Sequence, residues 1–123
     1  MAQTLKAMLE AAHSVVPRIS AEEAQIKIKD GALLLDVRDA PELAASGKAK
    51  GAHNVSRGTL EFRAEPDSPN ADPEFRTDRA IILFCAAGGR AALAGQALKE
   101  LGYKEVYNLG GLKDWADGGG EVS

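Results

Sequence analysis

The chain has 123 residues, enough for one hydrophobic core and too few for two. Apolar residues make up 45% and charged residues 27%, an ordinary globular balance. A net charge of −3 and an aromatic content of 5% argue against a basic, base-stacking surface for nucleic acid.

Residues 3–14 place Leu5, Met8, Leu9 and Ala12 on one face of a helix, which Pro17 closes. No compact apolar run follows a basic end here, so the stretch does not read as a leader peptide. No apolar run approaches the roughly 20 residues of a membrane span. A cytoplasmic protein that engages neither membrane nor nucleic acid is the expectation. Residues 18–20 read as a very short strand. Ser20 and Glu23 have capping-box spacing, which predicts a helix over 21–29 stopping at Asp30-Gly31. Residues 32–37 are a short continuous apolar run ending in charge, the pattern of a buried parallel strand. A short helix over 40–46 is stopped by Gly47. Residues 52–55 form a weak strand. Residues 57–79 are polar and rich in Pro and Asp, which predicts a loop with short helical turns. The strongest strand is 80–84. A helix over 90–101 carries Leu93, Ala94, Ala97, Leu98 and Leu101 on one face and ends at Gly102. Residues 105–109 form another strand, and Gly110-Gly111 lead into a last helix through Trp115, whose indole is expected in the core.

Strands alternate with helices, so the fold class is α/β: a central parallel sheet of about five short strands flanked by helices on both faces. In open sheets of this kind ligands bind beyond the carboxyl ends of the strands. That rule selects Asp36 to Arg38, Val55 to Gly58, Cys85 to Arg90, and Leu109 to Gly111.

Cys85 is the one cysteine, so the chain makes no internal disulfide, no CxxC pair and no cysteine zinc site, and no metal or cofactor is expected. It stands between the apolar run Ile81-Ile82-Leu83-Phe84 and the bare loop Ala86, Ala87, Gly88, Gly89, with Arg90 opening a helix. Backbone N–H groups of such a loop can turn inward together, glycine allows the positive φ this requires, and the helix adds the positive end of its dipole. The result is an anion cradle around a sulfur. A free thiol titrates near about 8.5, and helix N-termini or nearby cations bring that down to about 3.5–7.5. The alternative is a small apolar residue that merely ends a buried strand. The glycines, the arginine and the helix start behind Cys85 favour the reactive reading.

Cys85-Ala86-Ala87-Gly88-Gly89-Arg90 resembles the Cys-x-x-Gly-x-Arg loop of the rhodanese family of single-domain sulfurtransferases. The resemblance extends to Asp36, Arg38, Glu42 and Gly51-Ala52 in "LLLDVRDAPELAASGKAKGAHNV", and to Gly110, Gly111 and Trp115 in "YNLGGLKDW". One departure is Gly47-Lys48-Ala49, where the family usually has Gly-His-Ile. The match implies a rhodanese domain over 18–117; outside it, residues 1–17 are expected as an N-terminal helical extension that packs on the domain, and the glycines of 118–123 as a flexible tail. It implies Cys85 as the nucleophile that takes the outer sulfur of a small anionic donor such as thiosulfate. A thiophilic acceptor then removes it: cyanide, a small thiol or a protein thiol.

Arg90 either orients the donor or closes the loop on backbone carbonyls, and both readings stay open. Asp36, Arg38 and Arg57 could back the loop from the same sheet edge. The favoured readings there are a hydrogen-bond partner of local backbone for Asp36, a salt bridge to Glu42 or Asp39 for Arg38, and solvated surface for Arg57. Phe62 and Arg63 lie in a connection that could overhang the pocket. His13 and His53 do not share the cysteine's loop, so a cysteine–histidine dyad is unsupported. Two competing functions remain. Phosphatase or arsenate-reducing relatives of this architecture carry five residues between cysteine and arginine, against four here. A non-catalytic interaction module of the same fold commonly lacks the cysteine, which is present.

Overall fold

The computed structural model describes residues 2–123; Met1, part of the expected extension, lies outside the described residues. Among the described residues four strands form one parallel sheet in the order β2-β1-β3-β4. They are β1 (Leu33–Asp36), β2 (His53–Asn54), β3 (Ile81–Cys85) and β4 (Val106–Gly111). The helices are α1 (Leu5–Val15), α2 (Ala21–Lys29), α3 (Ala40–Ser46), α4 (Leu60–Ala64), α5 (Gly89–Glu100) and α6 (Leu112–Asp117).

Side-chain alternation along β3 builds two cores. Ile81, Leu83 and Cys85 join Val16, Leu60, Ala91, Ala94 and Leu98 on the face covered by α1, α4 and α5. Ile82 and Phe84 join Ala21, Ala24, Leu109 and Trp115 on the face covered by α2 and α6. The whole of β3 is buried, as a strand covered on both faces must be. Burying each such aliphatic or aromatic side chain is worth about 1.5–3 kcal/mol.

The expected fifth strand is not a strand. Residues 18–20 make one isolated parallel bridge, Arg18 with Asn108. The Ile19 N–H donates to the Asn108 carbonyl at 3.0 Å, and the Asn108 N–H donates to the Pro17 carbonyl at 2.8 Å. Ser20 then caps α2 in a reciprocal capping box with Glu23 and turns the chain away. β4 runs two residues further than the sequence pattern predicts, so Gly110-Gly111 belong to the strand. β3 likewise extends to include Cys85.

The apolar face of α1 is covered only towards its C-terminal end. Ala12 and, just past the helix, Val16 are buried, while Leu5 and Met8 are exposed. The residues expected as a flexible tail lie against the 47–50 segment. Lys48 and Ser123 exchange two backbone hydrogen bonds, the Lys50 N–H donates to the Glu121 carbonyl, and the Trp115 indole N–H donates to the Glu121 carbonyl at 2.9 Å.

Candidate functional site

In the order β2-β1-β3-β4, β1 connects outward to β2 and β3 connects the other way to β4. The connections therefore part between β1 and β3, and the carboxyl ends of those two strands are the switch point at which sheets of this kind place their binding crevice. Cys85 ends β3 at that point and is 1% exposed. Its Sγ accepts the Gly88 N–H at 2.9 Å. Gly88 has φ 105°, left-handed backbone that suits glycine, and serves as N-cap of α5. Gly89, Arg90 and Ala91 open that helix, so their N–H groups have no preceding turn to bond. The sulfur thus sits at the positive end of a twelve-residue helix.

β4 holds the loop closed from behind. A side chain on Gly111 would overlap the Ala86 carbonyl, and a Cβ on Gly88 would come within 3.3 Å of Gly110 Cα. The loop can approach β4 this closely only because both sides are bare backbone. Asn108, 1% exposed, ties the two together. Its side-chain amide donates to the Gly88 carbonyl at 3.1 Å and its side-chain oxygen accepts the Gly110 N–H at 2.8 Å. Sequence reasoning missed Asn108; the signal was a polar residue inside an otherwise apolar strand.

Arg90 does not close the loop on backbone carbonyls. Its two terminal nitrogens donate to both carboxylate oxygens of Glu42, at 2.7 and 2.8 Å. Glu42 comes from α3, the helix after β1, and Arg90 from α5, the helix after β3, so the fork spans the crevice. Glu42 also accepts the Asp39 N–H at 2.9 Å. The Arg90 guanidinium, with the Asp39 N–H second, holds the Glu42 carboxyl down at about 2. Glu42 in turn raises the Arg90 pKa, and the nearby Cys85 and Asp39 add to the effect.

The expected pairing of Arg38 with Glu42 or Asp39 does not occur. Arg38 instead lies on Asp36, with contacts of 3.1, 3.1 and 2.8 Å, and also donates to the Gly47 carbonyl at 2.8 Å. Both side chains are buried. The reason is strand periodicity: Asp36 is level with Phe84, and the Arg38 guanidinium sits 5.8 Å from the Phe84 ring centre, on the face opposite Cys85. Asp36 also accepts the Arg38 backbone N–H at 2.9 Å. The pair braces the crevice from the far face and does not face the sulfur. Arg57 is half-buried and bound to Glu61 at 2.8 Å. Phe62 is exposed. Arg63 is held by Asp72, which also binds His53. Neither histidine bonds to Cys85 among the described residues; His13 is exposed on α1. Leu9 of α1 lies near the start of α5: a Cβ on Gly89 would be 3.8 Å from its Cδ2. A cleft of about 480 Å³ lined by Thr77, Asp78, Arg79, Gly102, Lys104 and Glu105 opens instead at the amino ends of β3 and β4, where α/β sheets do not place their ligands. No described residues form a His, Cys, Asp and Glu cluster suited to a metal. No described helix is long and apolar enough to cross a membrane.

The chain is 36% identical over 92 residues to the uncharacterized protein YqhL of Bacillus subtilis (strain 168), a match covering 74% of this chain and 64% of that one. It is 35% identical over 83 residues to the tRNA uridine(34) hydroxylase of Acinetobacter baumannii (strain AYE), covering 68% of this chain and 26% of that one. The chain thus spans under two thirds of the length of either relative. Among solved structures, a protein of unknown function from Rhodopseudomonas palustris CGA009, described as a possible tyrosine phosphatase, superposes with a TM-score of 0.88 at 35% identity, covering 100% of this chain and 96% of that one. The polysulfide-sulfur transferase homodimer from Wolinella succinogenes superposes with a TM-score of 0.75 at 33% identity, covering 96% and 85%. The rhodanese-like domain family matches residues 20–117, a span that takes in the cysteine loop, the Glu42–Arg90 fork and the Gly110-Gly111 backing alike, and the chain belongs to that family.

Proposed function

We propose that the protein is a sulfurtransferase that carries a sulfane sulfur on Cys85. Family membership supports sulfurtransferase-type chemistry in general. The observation that carries the residue assignment is the Gly88 N–H aimed at Cys85 Sγ at 2.9 Å, at the start of α5. The thiolate attacks the outer sulfur of a donor such as thiosulfate. A new S–S bond forms, the donor's S–S bond breaks, and sulfite leaves with the electron pair. The terminal sulfur left on Cys85 is anionic, and the Gly88 N–H together with the unpaired N–H groups at the start of α5 suits an anion there, each such bond being worth about 1.5–3 kcal/mol. Cyanide or a thiol then takes the outer sulfur, and Cys85 returns as thiolate.

The phosphatase reading has one neighbour's description in its favour. The loop length opposes it. Four residues separate Cys85 from Arg90, and all of them are alanine or glycine. A phosphate brings three peripheral oxygens that need a wider ring than one sulfur does. The test is intact mass after thiosulfate treatment, with phosphate and arsenate titrations alongside. One added sulfur, removed by cyanide as thiocyanate and absent in Cys85→Ser, is the expected result. No adduct, or activity surviving in Cys85→Ser, overturns the proposal. Tight phosphate or arsenate binding in the loop returns weight to the phosphatase reading.

A further inference from the structure

All seven arginines of the chain lie against a carboxylate. The consequence is sharpest at the crevice, where Arg90 is the arginine of the cysteine loop and the Glu42 fork occupies it through both terminal nitrogens. Asp39 sits close enough to Arg90 to contribute to its field as well. Arg57 is engaged with Glu61, and Arg38 is buried with Asp36 on the other face. The backbone offers the sulfur the Gly88 N–H and the start of α5, but the side-chain charge that would greet a divalent anion is already paired with carboxylates.

From this we infer that Glu42 is a specificity-determining residue. By holding Arg90, it raises the KM for divalent anionic donors such as thiosulfate and favours donors of low charge, the hydropersulfides R–S–SH, over them. The inference rests on the reading of Cys85 as the sulfur carrier. In the step, an S–S bond forms between Cys85 Sγ and the donor's outer sulfur. The donor's own S–S bond breaks, its electron pair leaves on the inner sulfur, and that sulfur takes the proton as R–SH. Cys85 keeps the outer sulfur as a persulfide anion, and no outside oxidant or reductant is needed. Glu42 does not touch the donor; it acts through Arg90. A residue that only braced the loop would lower activity towards every donor when changed, whereas a residue that masks charge raises activity towards one class.

The experiment compares wild type with Glu42→Gln, which keeps the size of the side chain and an acceptor for the Asp39 N–H. Two donors are used: thiosulfate, and 2-hydroxyethyl hydropersulfide, which carries at most one negative charge. Removing one unit charge several Å from a bound dianion in a water-like dielectric shifts its affinity by about tenfold. The expected result is a fall in KM for thiosulfate of about that size with kcat little changed, and kcat/KM for the hydropersulfide within about twofold of wild type. Raising the ionic strength shrinks the difference, since screening weakens exposed charge pairs. Glu42→Asp, which withdraws the carboxylate by one methylene, moves the thiosulfate KM the same way by less and serves if the glutamine variant does not fold. An unchanged thiosulfate KM, or a parallel loss with both donors, overturns the inference while the Cys85 reading stands. If no donor loads sulfur on Cys85 in either protein by intact mass, both readings fall together.

Discussion

Glu42 and Arg90 show how little a single residue's sequence neighbours say about its partner. Glu42 is four positions from Arg38, a spacing that brings side chains together on a helix. Arg38, however, lies before α3 begins, where strand geometry sends its side chain back onto Asp36. Glu42 is left to face Arg90, 48 positions away. The pairing has a pH signature. The folded carboxyl titrates at about 2, below the ordinary 4.5, so the pair contributes fully above 4.5, and its contribution is lost as pH falls through about 2. Wild type is expected to melt above Glu42→Gln at neutral pH. The gap should hold down to pH 4.5 and close towards pH 2, as read by thermal melts of both proteins across that range. A gap that widens on acidification contradicts the assignment. Asn108 works at the same scale: one buried amide satisfies a loop carbonyl and a strand N–H, and so sets how near the cysteine loop stands to β4.

Between elements, the end of α1 packs tightly on α5. A Cβ on Gly95 would lie 2.8 Å from both γ-carbons of Val16 and 3.1 Å from Val106 Cγ1. Glycine inside a helix costs about 1 kcal/mol relative to alanine, so on propensity alone Gly95→Ala should stabilise α5. Packing opposes this, because Val16 is buried and β-branched and has no rotamer freedom to withdraw. Overpacking of this kind costs about 1–3 kcal/mol, so the expected net effect of Gly95→Ala is destabilisation by about 1 kcal/mol. In the double variant Val16→Ala/Gly95→Ala the added methyl fills space that the valine vacates. Its loss should be smaller than the sum of the single losses, measured by urea unfolding as a double-mutant cycle. Strict additivity would mean that the two residues do not meet. The same docking places Leu9 near Gly89, at the start of α5.

At the scale of the whole molecule, the last residues close the sheet's weaker edge. β2 has two residues, and the segment before it is held by the returning chain: Ala49 bridges Val122, and Glu121 accepts from both Lys50 and Trp115. Gly120 lies directly under the Trp115 ring, where a side chain would overlap it. Deleting residues 119–123 removes these bonds and leaves the indole N–H without its acceptor. With each hydrogen bond worth about 0.5–1.5 kcal/mol net, and less where water replaces it, the expected loss is about 2 kcal/mol. Sulfur loading of Cys85 should persist, since the cradle is built from β3, α5 and β4. Denaturant unfolding and intact mass on the truncated chain check the two halves of this expectation. An unchanged midpoint would show that the returning segment adds nothing.

Much of the fold was legible because its cues are local. Helix caps such as Ser20 with Glu23, the apolar runs of β1 and β3, and glycines at helix ends depend on residues a few positions apart. So does the bare loop after Cys85, which lies between the end of β3 and the start of α5 with the Gly88 N–H on the sulfur. The strand number was overestimated because Arg18-Ile19-Ser20 has strand-like composition, and only a competing helix cap limits it to one bridge. The partners of the charged side chains were not legible. By itself the sequence determined an α/β alternation and the place of the cysteine at a strand's carboxyl end, since both follow from short-range periodicity. Only the tertiary structure decided that Arg38 turns to the far face, that Glu42 reaches across the crevice to Arg90, and that the final residues bind the 47–50 segment. Those choices depend on which connections leave the sheet on which side, and that is a property of the assembled strands, not of any short stretch of chain.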